Sequence, residues 1–198
     1  MNTRVSIRLA QYGFTGIGII GLGYCGAVWL SARLYQEGKV RVFDRERDRK
    51  GSTAVSLMPQ APVPEPGDLV GKLEIPRIRI SVMVVEGVDL SELEHAAGHI
   101  PGTALPGQPG NIGIAAHRDT FFEPLAAIRP GDTMTVETIE GMYRYRVTTT
   151  EVVYPQDISV LYPIGRDTLT LVTCYPFHYI GAAPERFIVH AVRLPASD

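Results

Sequence analysis

A cysteine, a histidine and an arginine in this sequence could together carry out acyl transfer. Cys174 directly follows the β-type segment Thr168–Thr173, where a thiol is accessible at the end of a strand. His117 directly follows the apolar segment Asn111–Ala116. A free thiol has a pKa of about 8.5 and is largely protonated at neutral pH. An imidazole beside it can take the proton and later protonate a leaving amine, so the two residues predict nucleophilic catalysis.

Arg186 is the predicted third member of the site. It opens a β-type segment twelve residues after Cys174. A guanidinium can stabilise the negative charge that develops on a carbonyl oxygen during acyl transfer. Spacing alone does not separate it from Arg118, Arg129 and Arg166, which compete for this role. A strand-end cysteine can also be a small buried residue, and that alternative stays open on position alone.

The other histidines and the second cysteine predict no further site. His95 and His99 are four residues apart, which suits one face of a helix, but no third metal ligand is evident near them. Cys25 lies in an uncharged stretch and is predicted to be inert. We therefore expect no metal, no cofactor and no disulfide between Cys25 and Cys174.

Short strands are predicted to position the candidate residues. From about Leu69 the polar and apolar residues alternate, which predicts strands over Lys72–Ile75 and Arg77–Ile80. Further strands are predicted over Asn111–Ala116, Thr133–Glu137, Tyr143–Val153, Thr168–Thr173 and Arg186–Val192, with a hairpin turn at Glu140 and Gly141. A helix is predicted over Ser91–Ala97, with Ser91 as N-cap and Glu94 completing a capping box, and a loop over Pro101–Gly110. Many short strands with little helix indicate a β-barrel or sandwich.

The N-terminal part of the chain differs in charge from the rest. Residues 1–50 have a net charge of +5, and residues 51–198 have a net charge of −7. The acidic main body argues against nucleic-acid binding, which needs clustered Lys and Arg. Residues 12–30 carry no formal charge and are long enough to cross about 30 Å of hydrocarbon as a helix. They predict a transmembrane anchor, and the four prolines within residues 51–68 predict an extended spacer.

A dinucleotide-binding fingerprint is the rival interpretation of the same N-terminal residues. Residues 21–26 read G-x-G-x-x-G, and Lys39–Phe43 looks like a strand that ends at Asp44. That fold requires further βαβ units, whereas the chain after Lys50 becomes Pro-rich and then β-like. Glycine is frequent in membrane helices, so we favour the anchor.

The segments around the three candidate residues resemble class D sortases. Residues 168–176, TLTLVTCYP, resemble the cysteine segment of that family, and residues 181–190 resemble the segment that carries its arginine. Residues 113–118 resemble its histidine segment, and residues 101–111 resemble the loop before it. Residues 30–36 resemble its juxtamembrane segment, so the likeness covers about residues 69–195 and the anchor.

The resemblance implies a mainly β fold, a closed sortase-type barrel of about eight strands with short helices, preceded by one transmembrane helix. It divides the chain into a cytoplasmic N-terminus over 1–11, the anchor over 12–30, a charged and Pro-rich juxtamembrane linker over 31–68 and a catalytic domain over 69–198. It also implies an extracytoplasmic domain on the cell membrane. The count of Lys and Arg at the two ends of the anchor leans slightly the other way.

The resemblance further implies a cysteine transpeptidase with His117, Cys174 and Arg186 as its catalytic residues. The partners would be secreted proteins with a C-terminal LPxTG-like sorting signal and an amine acceptor of the cell envelope or a pilin. Cys174 would attack the threonine carbonyl, His117 would act as acid and base, and Arg186 would hold the substrate or the oxyanion. A hydrolytic membrane-anchored thiol peptidase and a non-catalytic anchored β-domain are the alternatives.

Overall fold

The structure of the chain, a computed structural model, describes residues 12–27, 30–31, 33–34 and 64–195. Residues 12–27 are helical. Among the described residues, no helix is both long enough and apolar enough to cross a membrane. The predicted N-terminal segment 1–11, the strand predicted over Lys39–Phe43 and most of the linker 31–68 lie outside the described residues. The transmembrane anchor over 12–30 stays a prediction.

A closed barrel of eight strands forms the described domain, in the order β1-β2-β3-β4-β7-β8-β6-β5. The strands are β1 Leu69–Ile75, β2 Ile80–Glu86, β3 Ala97–His99, β4 Asn111–Ala115, β5 Thr133–Glu137, β6 Met142–Val153, β7 Thr168–Tyr175 and β8 Glu185–Arg193. The barrel closes where β1 pairs with β5, and the pairs β2–β3 and β4–β7 are parallel. The helical elements of this domain are short: Pro76–Ile78, Leu90–Leu93, Glu123–Ala127 and Ser159–Leu161. The predicted fold class, a mainly β closed barrel with short helices, is confirmed for this domain.

Aliphatic side chains from the inward faces of the strands fill the barrel. Fully buried examples are Leu73, Ile75, Val84, Ile112, Ile114, Met134, Val136, Leu169, Leu171 and Val189. Burial of one such side chain stabilises the folded chain by about 1.5–3 kcal/mol. Because side chains alternate along a strand, the outward residues of β4, β7 and β8 form a separate surface on a rigid support.

The prediction of a strand over Arg77–Ile80 is wrong. Residues Pro76–Ile78 form a turn of 3₁₀ helix, and Arg79 has a φ of 57°, in the left-handed region. Proline at the first helical position presets φ for a helix, so the chain turns here instead of continuing as β1. β2 therefore begins only at Ile80.

For the helix predicted over Ser91–Ala97, both the bounds and the N-cap residue are wrong. The α-helix covers Leu90–Leu93, its N-cap residue is Asp89, and no side chain caps it. Ser91 instead donates to the carboxylate of Glu92 at 3.0 Å. The helix ends early because the chain is already paired with β2 from Ala97 onward, as strand β3. β3 lies so close to its neighbour that a Cβ atom at Gly98 would be only 2.1 Å from the carbonyl oxygen of Gly87.

Candidate active site

Cys174 and Arg186 are direct cross-strand partners. β7 and β8 are antiparallel, and their register pairs Cys174 with Arg186. The sequence had indicated that Cys174 directly follows the strand. β7 continues to Tyr175, so Cys174 is instead the last but one residue of the strand. Opposite residues of an antiparallel pair have Cβ atoms about 4.5–5.5 Å apart and point to the same face of the sheet. The sheet therefore brings together two of the three predicted residues.

His117 lies on the other side of Cys174. β4 and β7 are parallel, and their register ends with Ala115 opposite Val172. The pairing continues beyond β4, because the amide of Ala116 donates to the carbonyl of Val172 at 3.2 Å and the hydroxyl of Thr173 donates to the carbonyl of Ala116 at 2.7 Å. We infer the position of His117 by continuing this register for two residues, which brings it level with Cys174.

The three candidate residues thus form a row across the outer face of the barrel. Leu171 in β7 and Val189 in β8 belong to the core, so the alternation turns Cys174 and Arg186 outward. All three candidates are half-buried, and Cys174 is a free thiol. A non-catalytic β-domain would instead leave this cysteine buried and unreactive.

An aromatic cluster supports this end of the barrel. The ring of Phe187, which follows Arg186, lies 6.2 Å from the ring of Tyr175 and 5.2 Å from the ring of Phe177, measured between centroids. Phe177 and Phe187 also pack against the core. The backbone on both sides of the Cys174–Arg186 pair is therefore tied to the barrel interior by large side chains.

The other arginines have separate positions and contacts. Arg186 donates from Nη1 to the carbonyl of Glu185 at 3.0 Å and to that of Ala183 at 3.4 Å, so its guanidinium stays beside its own strand end. Arg118 donates to carbonyls of the loop between β7 and β8. Arg166 is exposed and precedes the first residue of β7, at the opposite end from Cys174, and Arg129 precedes β5. Of the four arginines, only Arg186 is the register partner of the cysteine.

His99 belongs to a buried polar pair that the sequence did not reveal. Its Nδ1 lies 2.6 Å from Oε2 of Glu86, and its Nε2 donates to the carbonyl of Ala104 at 3.0 Å. Thirteen residues separate the histidine from the glutamate, and only the parallel pairing of β2 and β3 brings them together. Both ring nitrogens of His99 are therefore engaged in contacts with the protein. Within the described ranges, no three His, Cys, Asp or Glu side chains are grouped so that they could hold a metal ion.

A cavity of about 410 Å³ lies on the same outer face, farther along the sheet. Its wall includes Asn111, Thr168 and His190, together with the loop between β6 and β7. None of the three candidate residues lines it. His190 lies four residues beyond Arg186 along β8, or about 13 Å in an extended strand. The cavity is therefore separate from the row of three residues.

Known proteins resemble this chain in both sequence and structure. A sequence model of the sortase domain matches residues 73–194, which include the whole row. The chain belongs to the sortase family. Sortases are cysteine transpeptidases. Sortase D of Bacillus subtilis is 36% identical over 132 residues, which are 66% of this chain and 67% of that protein. Sortase SrtE1 of Streptomyces coelicolor is 33% identical over 131 residues, which are 57% of this chain and 37% of that protein.

Solved sortase structures share the barrel of this sortase. A sortase D5 transpeptidase from Clostridium perfringens superposes with a TM-score of 0.64 at 25% identity, covering 82% of this chain and 97% of that one. Sortase C1 from Streptococcus suis superposes with a TM-score of 0.61 at 29% identity, covering 66% and 75%. The likeness to sortases of class D, in sequence and in structure, confirms the family and the class D-like character predicted from the sequence.

Proposed function

We propose that this sortase cleaves an LPxTG-like C-terminal sorting signal after threonine and transfers the new carboxyl end to an amine. The observation that carries the proposal is the register of β7, which pairs Cys174 with Arg186 and, continued two residues past Ala115, brings His117 to the other side of Cys174. Acyl transfer needs a nucleophile, a proton carrier and a donor to the developing oxyanion, and the row supplies one side chain for each.

The proposed reaction has two acyl-transfer steps. His117 takes the proton of the Cys174 thiol, the sulfur attacks the threonine carbonyl carbon, the bond to the next residue breaks, and His117 gives that proton to the leaving amine. This produces a thioester between the enzyme and the substrate. An acceptor amine then attacks the thioester and loses a proton to His117, and the sulfur leaves and takes that proton back. Arg186 donates hydrogen bonds to the carbonyl oxygen in both tetrahedral intermediates.

The partners and the location belong to the same proposal. The substrates are secreted proteins that carry the sorting signal, and the acceptor is an amine of the cell envelope or of a pilin. The uncharged run over residues 12–30 supports a single-pass anchor, with residues 1–11 cytoplasmic and the catalytic domain outside. Protease added to intact cells or spheroplasts should then remove the domain by cutting between Lys50 and Leu69. Protection until lysis would contradict this topology.

A ligation assay tests the activity. The full chain is incubated with an LPxTG peptide, with and without a small amine, and the products are separated by mass. We expect cleavage in both samples and a ligated product with the amine. Cys174→Ala should abolish both reactions, and the matched variant Cys25→Ala should keep them. Turnover by Cys174→Ala would exclude the thioester, and cleavage without any ligation would favour a hydrolytic peptidase.

A further inference from the structure

Arg118 connects the histidine segment to the loop between the cysteine and the arginine. Its Nη1 donates to the carbonyl of Pro176 at 2.8 Å, and its Nη2 donates to the carbonyls of Tyr179 at 2.8 Å and Gly181 at 3.2 Å. Its guanidinium carbon also lies 5.8 Å from the centre of the Tyr179 ring. One side chain next to His117 therefore holds three points of a loop that is about sixty residues away in sequence.

The loop that Arg118 holds is the direct connection from Cys174 to Arg186. It begins after β7 at Pro176 and ends at β8 with Glu185. Phe177 packs on the core, but the middle of the loop does not, because the side chain of Ile180 is fully exposed and that of Tyr179 is 48% exposed. A loop with so little buried apolar surface opens easily unless hydrogen bonds hold it.

These contacts depend on the shape of the guanidinium. Two different nitrogens of Arg118 reach three carbonyl oxygens of the loop. A lysine ammonium is a compact point charge without a planar fork, and it cannot contact all three carbonyls from one position. Hydrogen bonds from a charged donor are also stronger than those between neutral groups.

We propose that Arg118 is a positioning residue, which fixes the loop over residues 176–184 so that it is already ordered when the peptide binds beside Cys174. The inference rests on the proposed function of the row. In this proposal Arg118 does not contact the reacting atoms. Without it, the binding energy of the peptide must also order the loop, which weakens binding more than it slows the chemical step.

Arg118→Gln and Arg118→Lys test the proposal, with Arg166→Gln as a matched control at an exposed arginine in another loop. Chymotrypsin cleavage of the full chain after Tyr179, identified by fragment mass, measures the opening of the loop and does not depend on any activity. We expect this loop proteolysis to become at least tenfold faster in both Arg118 variants and to stay unchanged in Arg166→Gln. In the peptide assay, KM should rise at least fivefold and kcat should fall less than threefold. The pH profile of Cys174 alkylation by iodoacetamide should not move.

Each other outcome contradicts a distinct statement. Unchanged loop proteolysis with a lower kcat would overturn the proposal and make Arg118 a residue that acts on the substrate. Faster loop proteolysis with unchanged KM and kcat would overturn the positioning role. Unchanged loop proteolysis and unchanged kinetics would overturn the proposal altogether. If the parent chain neither cleaves nor ligates the peptide, the proposed function fails, and the loop proteolysis still decides whether Arg118 holds the loop.

Discussion

Replacing Arg186 by lysine separates the geometry of the guanidinium from its charge. Arg186 is the register partner of Cys174, so their Cβ atoms are about 5 Å apart on one face of the sheet. A carbonyl bound at the sulfur is then within reach of the arginine side chain. Arg186→Lys keeps the positive charge but loses the planar pair of donors.

The expected cost follows from the loss of one donor to the oxyanion. Removing one such donor lowers kcat by about 10²–10³-fold, which corresponds to roughly 2.7–4 kcal/mol. The negative charge on the oxygen develops only after the peptide has bound, on the way to the tetrahedral intermediate, so the loss should affect kcat more than KM. The cysteine should still react with iodoacetamide at the parent rate, because Arg186 is not required to ionise it.

Single-turnover formation of the thioester gives the measurement, with the parent chain and Arg166→Lys as controls. Arg166 lies at the opposite end of β7, and its substitution should change the rate less than threefold. The assignment is refuted if Arg186→Lys forms the thioester within threefold of the parent rate while Arg118→Lys loses a hundredfold in kcat. The third catalytic role would then belong to the residue beside His117.

Two further predictions concern stability. Arg77 hydrogen-bonds both carboxylate oxygens of Asp132 and lowers the pKa of that carboxyl below its usual 3.8. The pair therefore contributes its full stability above about pH 5 and loses it as the pH falls through the lowered pKa. Asp132→Asn should lower the free energy of unfolding by about 1 kcal/mol at pH 7 in urea titrations, because the exposed side of the Arg77 guanidinium screens the pair, and the difference should be smaller at pH 2; an equal difference at both pH values would contradict this. In the buried pair, Glu86→Leu or His99→Leu alone should lower the free energy of unfolding by about 3–5 kcal/mol, because each leaves the other polar side chain buried without its partner. The double replacement should lower it by less than the sum of the two single losses. Additive losses would show that the two side chains are not coupled.

Most of the barrel could be predicted from local patterns, but long-range pairing could not. The hairpin of β5 and β6 and the buried strand β4 follow from alternation and from apolar runs, which are local properties. Arg77–Ile80 also alternates, yet the proline before it starts a turn that this pattern does not register. The parallel pairing of β4 with β7 joins segments more than fifty residues apart, and no local pattern encodes it.

The candidate site shows the same limit. Cys174 and His117 could be predicted because each ends an apolar strand, but spacing left four arginines as candidates for the third role. The register of β7 and β8 gives Arg186 its distinct position, and three carbonyl contacts distinguish Arg118. A side chain that donates to backbone carbonyls has no sequence signal, because any residue supplies a carbonyl.

Closure of the barrel has a consequence for how a peptide can bind. Proteins with an open sheet often capture an extended peptide as one more strand along the exposed edge. Here the pairing of β1 with β5 completes the ring, and β7 itself is paired on both sides, with β4 and with β8, so a peptide cannot add to β7 as a further strand. A peptide that reaches Cys174 must instead be held by side chains of the outer face and by the loop between β7 and β8. Exchanging that loop between related enzymes should therefore transfer peptide preference while leaving the barrel unchanged.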